Sequence, residues 1–423
     1  MICLLVGVVV INLMSRKSDD RDWLIRVLTL ALFLRLAVAT MFALLPETRF
    51  CHEDADGYEE VGLQIASYWR GEGPPVLSVE AMKQNFGYPY ISGICYYVLG
   101  RFRSAPSYFN AILGTITIYM VYALARHFFH RLVARRAALL TALVPSMVLW
   151  NSLALKDTAV TLLIVLCLLS CVNLKERFSI GAALGTILPV VAVQPLRFYV
   201  VYFLVFAIAG SLLLERGLKS FSGVPKQIMV VGGIVILLGL VGFAGGTRQG
   251  LDFFTLESVS SFRHGMAVSA NSGFSQDVDL RTPLGALSFL PLGMSVLLLG
   301  PFPWQFTSIR ALLAAPEVIF WWSLFPSFLR GFRFAIRARF AECSPMLLFA
   351  VTLTCSYSLV HGNVGSGFRQ RAQIFVFLFI FSALGLYQKR CRDKGIDERE
   401  LLIGGKPAQP VAQVPVVSAR ASR

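Results

Sequence analysis

Five carboxylates fall within the nine residues His52-Glu53-Asp54-Ala55-Asp56-Gly57-Tyr58-Glu59-Glu60, directly after a long apolar run that carries Arg35. A carboxylate at a membrane boundary can serve as a general base. It takes the proton of a sugar or lipid hydroxyl, a weak nucleophile, as that oxygen attacks. The same stretch can also ligate a metal, or be a solvated acidic loop that pairs with the protein's own arginines. A calcium loop of the EF-hand type does not fit, because the sixth position counted from Asp54 is Glu59, where the sharp turn requires Gly.

Lys156-Asp157 stands where one apolar run ends and the next begins. An Asp there is either a favourable helix start or, with Lys156, part of a pocket for an anionic head group. Arg197 follows Gln194-Pro195, and Arg369 and Arg371 flank Gln370 in His361-Gly-Asn-Val-Gly-Ser-Gly-Phe-Arg-Gln-Arg. Arginine binds phosphate through a planar fork, whereas a structural role for these residues would be snorkelling to lipid phosphate. The glycines Gly362, Gly365 and Gly367 let backbone approach a ligand, but they form no nucleotide-binding GxGxxG. His52, His264 and His361 are isolated and do not have zinc-site spacing. Trp304 reads as an interfacial belt residue or as a ring that stacks on a sugar or isoprenoid face.

The elements that must hold these residues are transmembrane helices. Apolar residues make up 56% of the chain and charged residues 15%, a composition that leaves too little polar surface for a soluble protein. The runs are too long and too evenly apolar for barrel strands, so each must be a helix. They cover Leu24–Leu45, Tyr108–Arg126, Val133–Trp150, Asp157–Val172, Ile180–Val193, Phe198–Leu214, Ile228–Ala244, Leu312–Leu329, Met346–Val360 and Ile374–Tyr387. Ile2–Met14 is shorter, lacks signal-peptide flanks and reads as a short anchor.

The net charge of +15 belongs to loops on one face and does not imply nucleic-acid binding. Arg16–Arg21, His127–Arg136, Lys175–Arg177, Glu215–Lys226, Arg330–Arg339 and Lys389–Lys394 are basic, and the positive-inside rule makes all six cytoplasmic. The acidic stretch, Lys156-Asp157 and the remaining arginines then share the outer face. Apart from Arg35, charges gather at helix ends, and no internal repeat suggests a transporter. Pro283–Gly300 is apolar enough to cross, but a crossing would put Arg330–Arg339 outside. It is therefore read as a re-entrant element near 283–304 that dips in and returns, with two crossings split near Pro291 as the rival reading. Cys51 and Cys95 share an outer segment, which permits a disulfide. The expected organisation is a short anchor and basic loop over 1–23, a transmembrane domain over 24–388, and a disordered basic tail over 389–423.

These residues resemble a known family. Asp54-x-Asp56-Gly-Tyr58 after the first long span, followed by Gly62-Leu-Gln-Ile-Ala66 and Gly71, is similar to the first outer loop of GT-C membrane glycosyltransferases. So is the run from Tyr88-Pro89-Tyr90 through Gly100, with Asn110 and Tyr119 beyond it. Pro145 to Asn151, then Lys156-Asp157, resembles their second outer loop. The nearest pattern is that of protein O-mannosyltransferases and aminoarabinose transferases. The chain departs from it at Ile2–Met14 and at Pro301–Gln305.

The resemblance implies an all-α GT-C bundle of about 10–12 spans with a large first outer loop. It implies transfer of a sugar from a polyprenyl-phosphate carrier to a glycan, lipid or protein acceptor, with inversion, at the outer face of a bacterial inner (plasma) membrane. Asp54 or Asp56 would be the base, with Asp54 favoured four residues before Tyr58. Tyr58, Lys156, Asp157, Arg197, Trp304, Arg369 and Arg371 would bind substrate, and the cations among them would stabilise the leaving phosphate. Some relatives use a divalent metal, so Mg or Mn stays open as a cofactor. The alternatives are a polysaccharide polymerase or ligase acting on an undecaprenyl-diphosphate-linked glycan, and a lipid or glycan transporter.

Overall fold

The computed structural model describes residues 2–45, 52–74, 86–214, 255–268, 272–275, 278–306 and 309–395. The expected span Ile228–Ala244, the loop Glu215–Lys226, Cys51 with its expected disulfide, and the tail beyond residue 395 lie outside the described residues. Among the described residues the chain is all-helical, with a lone β-bridge between Gly273 and Asn363.

The helices, in chain order, are α1 (Ile2–Ser15), α2 (Arg21–Leu44), α3 (His52–Trp69), α4 (Gly87–Leu99), α5 (Ala105–Phe128), α6 (Arg131–Leu143), α7 (Pro145–Trp150), α8 (Asp157–Glu176), α9 (Ile180–Val193) and α10 (Phe198–Leu214). They continue with α11 (Leu256–Val268), α12 (Pro283–Leu299), α13 (Ile309–Val360), α14 (Val364–Gln370) and α15 (Ala372–Asp393). Among the described residues five helices are long and apolar enough to cross a bilayer: α2, α5, α8, α13 and α15. α1, α9, α10 and α12 are shorter apolar helices. The protein is a polytopic transmembrane helical bundle. Its apolar surface meets hydrocarbon, and each backbone bonds within its own helix.

Several expected boundaries are corrected. The acidic stretch is not a loop: His52 to Trp69 is one helix, packed against α4 through two glycines. A Cβ at Gly62 would lie 2.8 Å from the Ser92 Cβ, and one at Gly93 would lie 2.8 Å from the Ile65 Cγ2. Arg330–Arg339 is not a loop either. α13 stays helical through it and breaks only at Arg339, at φ −146° and ψ 39°. The two limbs of α13 run in opposite directions: Glu317 and Tyr357 both meet residues near the start of α15, while Ala341 accepts a hydrogen bond from Lys175 at the far end of α8.

Val133–Trp150 is two helices, because Pro145 lacks the N–H that would continue α6. Two buried charges satisfy the break. Arg35 donates to the freed carbonyls of Thr141 and Ala142 at 3.1 and 3.2 Å. Glu317 accepts from the Ser146 backbone N–H and Oγ, both at 2.6 Å. Glu317 also corrects the expectation that only Arg35 carries charge within a span.

Pro283–Leu299, within the expected re-entrant element near 283–304, forms a single helix. Near Phe289 it meets Arg263, which also holds the His361 carbonyl. At Gly293 it meets the Ser358 carbonyl, and the Gly300 carbonyl accepts from Arg371. Phe289 to Gly300 thus stays against the stretch from Ser358 to Arg371, all at one end of the bundle.

Among the described residues, the tightest contact between two helices joins α13 to α15. A Cβ at Gly331 would sit 1.9 Å from the Phe381 carbonyl oxygen, and one at Gly385 would sit 1.9 Å from that of Ser327. Small residues let helix backbones touch in a membrane, where dispersion replaces the hydrophobic drive. Gly331→Ala should therefore lower stability by about 1–3 kcal/mol through overpacking. Thermal unfolding in detergent measures this, with Gly181→Ala, whose Cβ would meet nothing within 4 Å, as the unaffected control.

Candidate active site

Asp157 opens α8 and is almost fully buried. A bare carboxylate there would be costly, and cations offset the loss of water. The Oδ1 of Asp157 accepts from Arg197 Nη2 at 2.6 Å and from Gln373 Nε2 at 3.5 Å. Arg369 Nε lies 3.3 Å from Oδ2, close enough for charge attraction but without hydrogen-bond alignment. The same guanidinium donates through Nη1 to Asp54 Oδ2 at 2.8 Å. One arginine of α14 thus joins a carboxylate of α3 to a carboxylate of α8.

Each partner is held from behind. Arg197 sits in the turn before α10, and this turn is pinned to α4 by the Gly87 N–H, which donates to the Pro195 carbonyl at 2.9 Å. Arg197 Nη1 also donates to Tyr199 Oη at 3.0 Å, Tyr357 Oη at 3.3 Å and Gln370 Oε1 at 2.5 Å. Tyr357 donates onward to Gln373 at 2.9 Å. The loop before Asp157 is fixed by Asn110, which donates to the carbonyls of Leu153 and Leu155 and to Tyr88 Oη. Tyr58 packs edge-on to Tyr88 at 5.0 Å between ring centroids. Burial raises its phenol pKa, and the charges of Asp54 and Asp157 raise it further.

Lys156 is half-buried, and no ion pair or hydrogen bond engages its ammonium among the described residues. Burial pulls its pKa down to about 8, and the neighbouring Arg197 adds to that, while Asp157 and Asp54 act the other way. Lys156, Arg197 and Arg369 against Asp54 and Asp157 give three cations to two carboxylates, a surplus of one positive charge. His361 adds none, because burial and then Arg197, Arg369 and Arg263 push its pKa down to about 3. The arrangement can receive an anion and present a carboxylate beside it.

The structure separates the other expected residues from this cluster. Asp56 lies two positions from Asp54 on one helix, about 200° around its axis. It pairs instead with exposed Arg103 at 3.0 Å, an arginine that also holds Glu59. Arg371 turns away to Glu317 at 3.3 Å and to the Gly300 carbonyl, where it supports the α6–α7 break. Burial depresses its pKa to about 10. Trp304 is 76% exposed and stacks on Phe302 at 4.8 Å, outside the cluster.

Sequence reading missed Gln370, Gln373, Tyr199, Tyr357 and Glu317. Glu317 had a usable signal, a lone carboxylate inside an apolar run. The glutamines and tyrosines had none beyond being polar at helix ends. No three His, Cys, Asp or Glu side chains converge among the described residues, and Arg369 already joins the two carboxylates.

Asp157→Ala leaves Arg197 buried without its carboxylate and should cost about 3–5 kcal/mol. The double variant Asp157→Ala/Arg197→Ala should lose clearly less than the sum of the single losses. Unfolding curves of the four proteins in detergent measure that coupling.

Comparison with known proteins agrees with this architecture. Residues 83–243 match the family described as dolichyl-phosphate-mannose-protein mannosyltransferase. No curated protein matches the chain. Among solved structures it is similar to ArnT from Cupriavidus metallidurans bound to undecaprenyl phosphate, with a TM-score of 0.56 and 14% identity. The match covers 89% of this chain and 62% of that one. It is also similar to the archaeal oligosaccharyltransferase AglB from Archaeoglobus fulgidus in complex with an inhibitory peptide and a dolichol-phosphate. There the TM-score is 0.48 and the identity 15%, over 89% of this chain and 52% of that one. The chain thus spans less than two thirds of the length of either protein. What it shares with ArnT is the fold.

Proposed function

We propose that this GT-C membrane protein is a glycosyltransferase that moves a sugar from a polyprenyl-phosphate carrier to an acceptor hydroxyl. The observation that carries the reading is the Asp54–Arg369–Asp157 bridge with Lys156 beside it. The matched family and the undecaprenyl phosphate bound by ArnT support the same substrate class. Because the five basic segments among the described residues lie opposite the site in the positive-inside sense, the site faces outward, at the periplasmic side of a bacterial inner membrane.

In this reaction the acceptor oxygen attacks the anomeric carbon while the bond from that carbon to the phosphate oxygen breaks. Asp54, 47% exposed at its side chain, takes the acceptor proton. The electron pair of the broken bond leaves with the lipid phosphate, whose growing charge is met by Lys156 and Arg369. A single displacement inverts the anomeric centre. Asp157 is too deeply buried and paired to meet the acceptor; it orients Arg197 and Arg369. The acceptor is a glycan, lipid or protein hydroxyl.

Asp54→Asn should reduce transfer by about 10²–10⁴-fold while the protein still inserts and unfolds normally. Asp56→Asn should stay within a few-fold of the parent. Initial rates in membranes supplied with a polyprenyl-phosphate sugar decide this, and full activity of Asp54→Asn would contradict the reading.

Lys156 supplies a pH test. Its ammonium is charged below about 8, and a bound phosphate would raise that value. Proton uptake then accompanies binding above pH 8. Affinity for a polyprenyl phosphate should be flat to about pH 8 and then fall by up to about tenfold per unit. Lys156→Arg should remove the fall, as read by equilibrium binding at pH 7 and pH 9.

A further inference from the structure

One neutral side chain reaches both sides of the site. Asn110 lies on α5 and is fully buried. Its amide nitrogen donates to the Leu153 carbonyl at 2.6 Å and to the Leu155 carbonyl at 2.8 Å, and it lies 2.8 Å from Tyr88 Oη. The chain between α7 and α8 is irregular there, so these carbonyls have no helical N–H to meet them. The two hydrogens of one amide suit them. The Leu155 N–H bonds back to the Leu153 carbonyl at 2.8 Å, so Asn110 grips both carbonyls of one tight turn. The next residue is Lys156.

Tyr88 connects the same amide to the carboxylate side. Its buried ring, on α4, packs edge-on to Tyr58 of α3 at 5.0 Å. Tyr58 stands four residues after Asp54, one turn along the same helix face. α5 also holds the start of the irregular stretch, because a Cβ at Gly114 would lie 2.7 Å from the Asn151 Cβ. The stretch that ends on Lys156 is thus seated on α5 at two points, Gly114 and Asn110, and the second also meets the helix pair that carries Asp54. The proposed reaction needs a base beside the acceptor and a cation at the leaving phosphate. A misplacement of ~1 Å between such groups can cost about 10²-fold in rate.

We propose that Asn110 is a positioning residue that sets where Lys156 stands relative to Asp54. It acts through the Leu153–Leu155 turn on one side and through Tyr88 and Tyr58 on the other. Its effect on rate rests on the proposed reaction; its effect on Lys156 does not. While the turn is held, the Lys156 ammonium is kept half out of water. The charged groups around it are Arg197 from the turn before α10, Arg369 from α14, Asp54 from α3 and Asp157 beside it. Once the turn is released, the ammonium regains water and titrates closer to an ordinary lysine, at about 10.4.

The test compares Asn110→Ala with Thr117→Ala, using the full chain in detergent micelles. Thr117 is also buried, two turns further along α5, and donates to the Leu113 carbonyl of its own helix. Lys156 is followed by NMR after reductive methylation with isotopically labelled formaldehyde, and Lys156→Arg assigns its signal. In the parent and in Thr117→Ala it should titrate at about 8. In Asn110→Ala it should move up by about one unit or more. Transfer by Asn110→Ala should lose about 10–100-fold in kcat with KM within a few-fold, while Thr117→Ala keeps the parental kcat. A Lys156 signal that titrates alike in Asn110→Ala and the parent would overturn the proposal, whatever the rates show. So would a parental kcat in Asn110→Ala when Asp54→Asn is inactive. Full activity of Asp54→Asn would instead refute the proposed reaction, and the Lys156 signal alone then decides whether Asn110 places that residue. If Asn110→Ala misfolds, Asn110→Gln keeps the amide but displaces it by one methylene. A smaller shift and loss in the same direction are expected, and their absence would overturn the proposal.

Discussion

Two carboxylates more than a hundred residues apart in sequence cannot sit together near a bilayer unless something offsets their repulsion. The guanidinium of Arg369 does so, with one nitrogen on Asp54 and another facing Asp157. Asp157 is buried, so its charge must be met on both sides, and Arg197 supplies the second cation. Much of the surrounding architecture follows from keeping these groups in place. Asn110 fixes the loop before Asp157, Gly87 pins the turn before Arg197, and Tyr357, Gln370 and Gln373 add hydrogen bonds around Arg197 and Asp157. A network tied from several helices is stiff, and stiffness at the point where charge develops is what electrostatic catalysis needs.

A second buried ion network supports the first from behind. The helix break at Pro145 leaves carbonyls on one side and amides on the other, and in hydrocarbon neither can turn to water. Arg35 meets the carbonyls, and Glu317 meets the amide and hydroxyl of Ser146. Glu317 is balanced by Arg371, which belongs to the same short stretch as Arg369. The α14 region therefore carries one arginine into the site and another into the scaffold. Substituting Arg371 would disturb the site only through the backbone that the two arginines share.

Composition made the helical bundle legible from the sequence, because runs such as Phe198–Leu214 admit no other backbone in lipid. Loop charge made the two ends legible, and so placed Asp54, Asp157, Arg197 and Arg369 on one face. Their pairing was not legible. Asp54 and Asp56 look equivalent in a loop; only when His52–Trp69 is a helix does the turn angle send one to Arg369 and the other to Arg103. The break after Val144 was announced by Pro145, but the apolar run on both sides hid it. Continuity through Arg330–Arg339 was hidden for the opposite reason, since a run of arginines reads as a loop whether or not it is helical. Pro283–Leu299 had the composition of a span, and contacts with Ser358, His361 and Arg371, which no local pattern encodes, keep it at one end.

The central claim is that the cluster around Asp157 receives the phosphate of a lipid carrier. A density map of the protein with a polyprenyl phosphate analogue bound tests it most directly. The account predicts the phosphate within hydrogen-bond reach of Lys156 and Arg369, with Asp54 beside the bond to be broken. A phosphate located elsewhere, with the Asp54–Arg369–Asp157 bridge untouched, would contradict it.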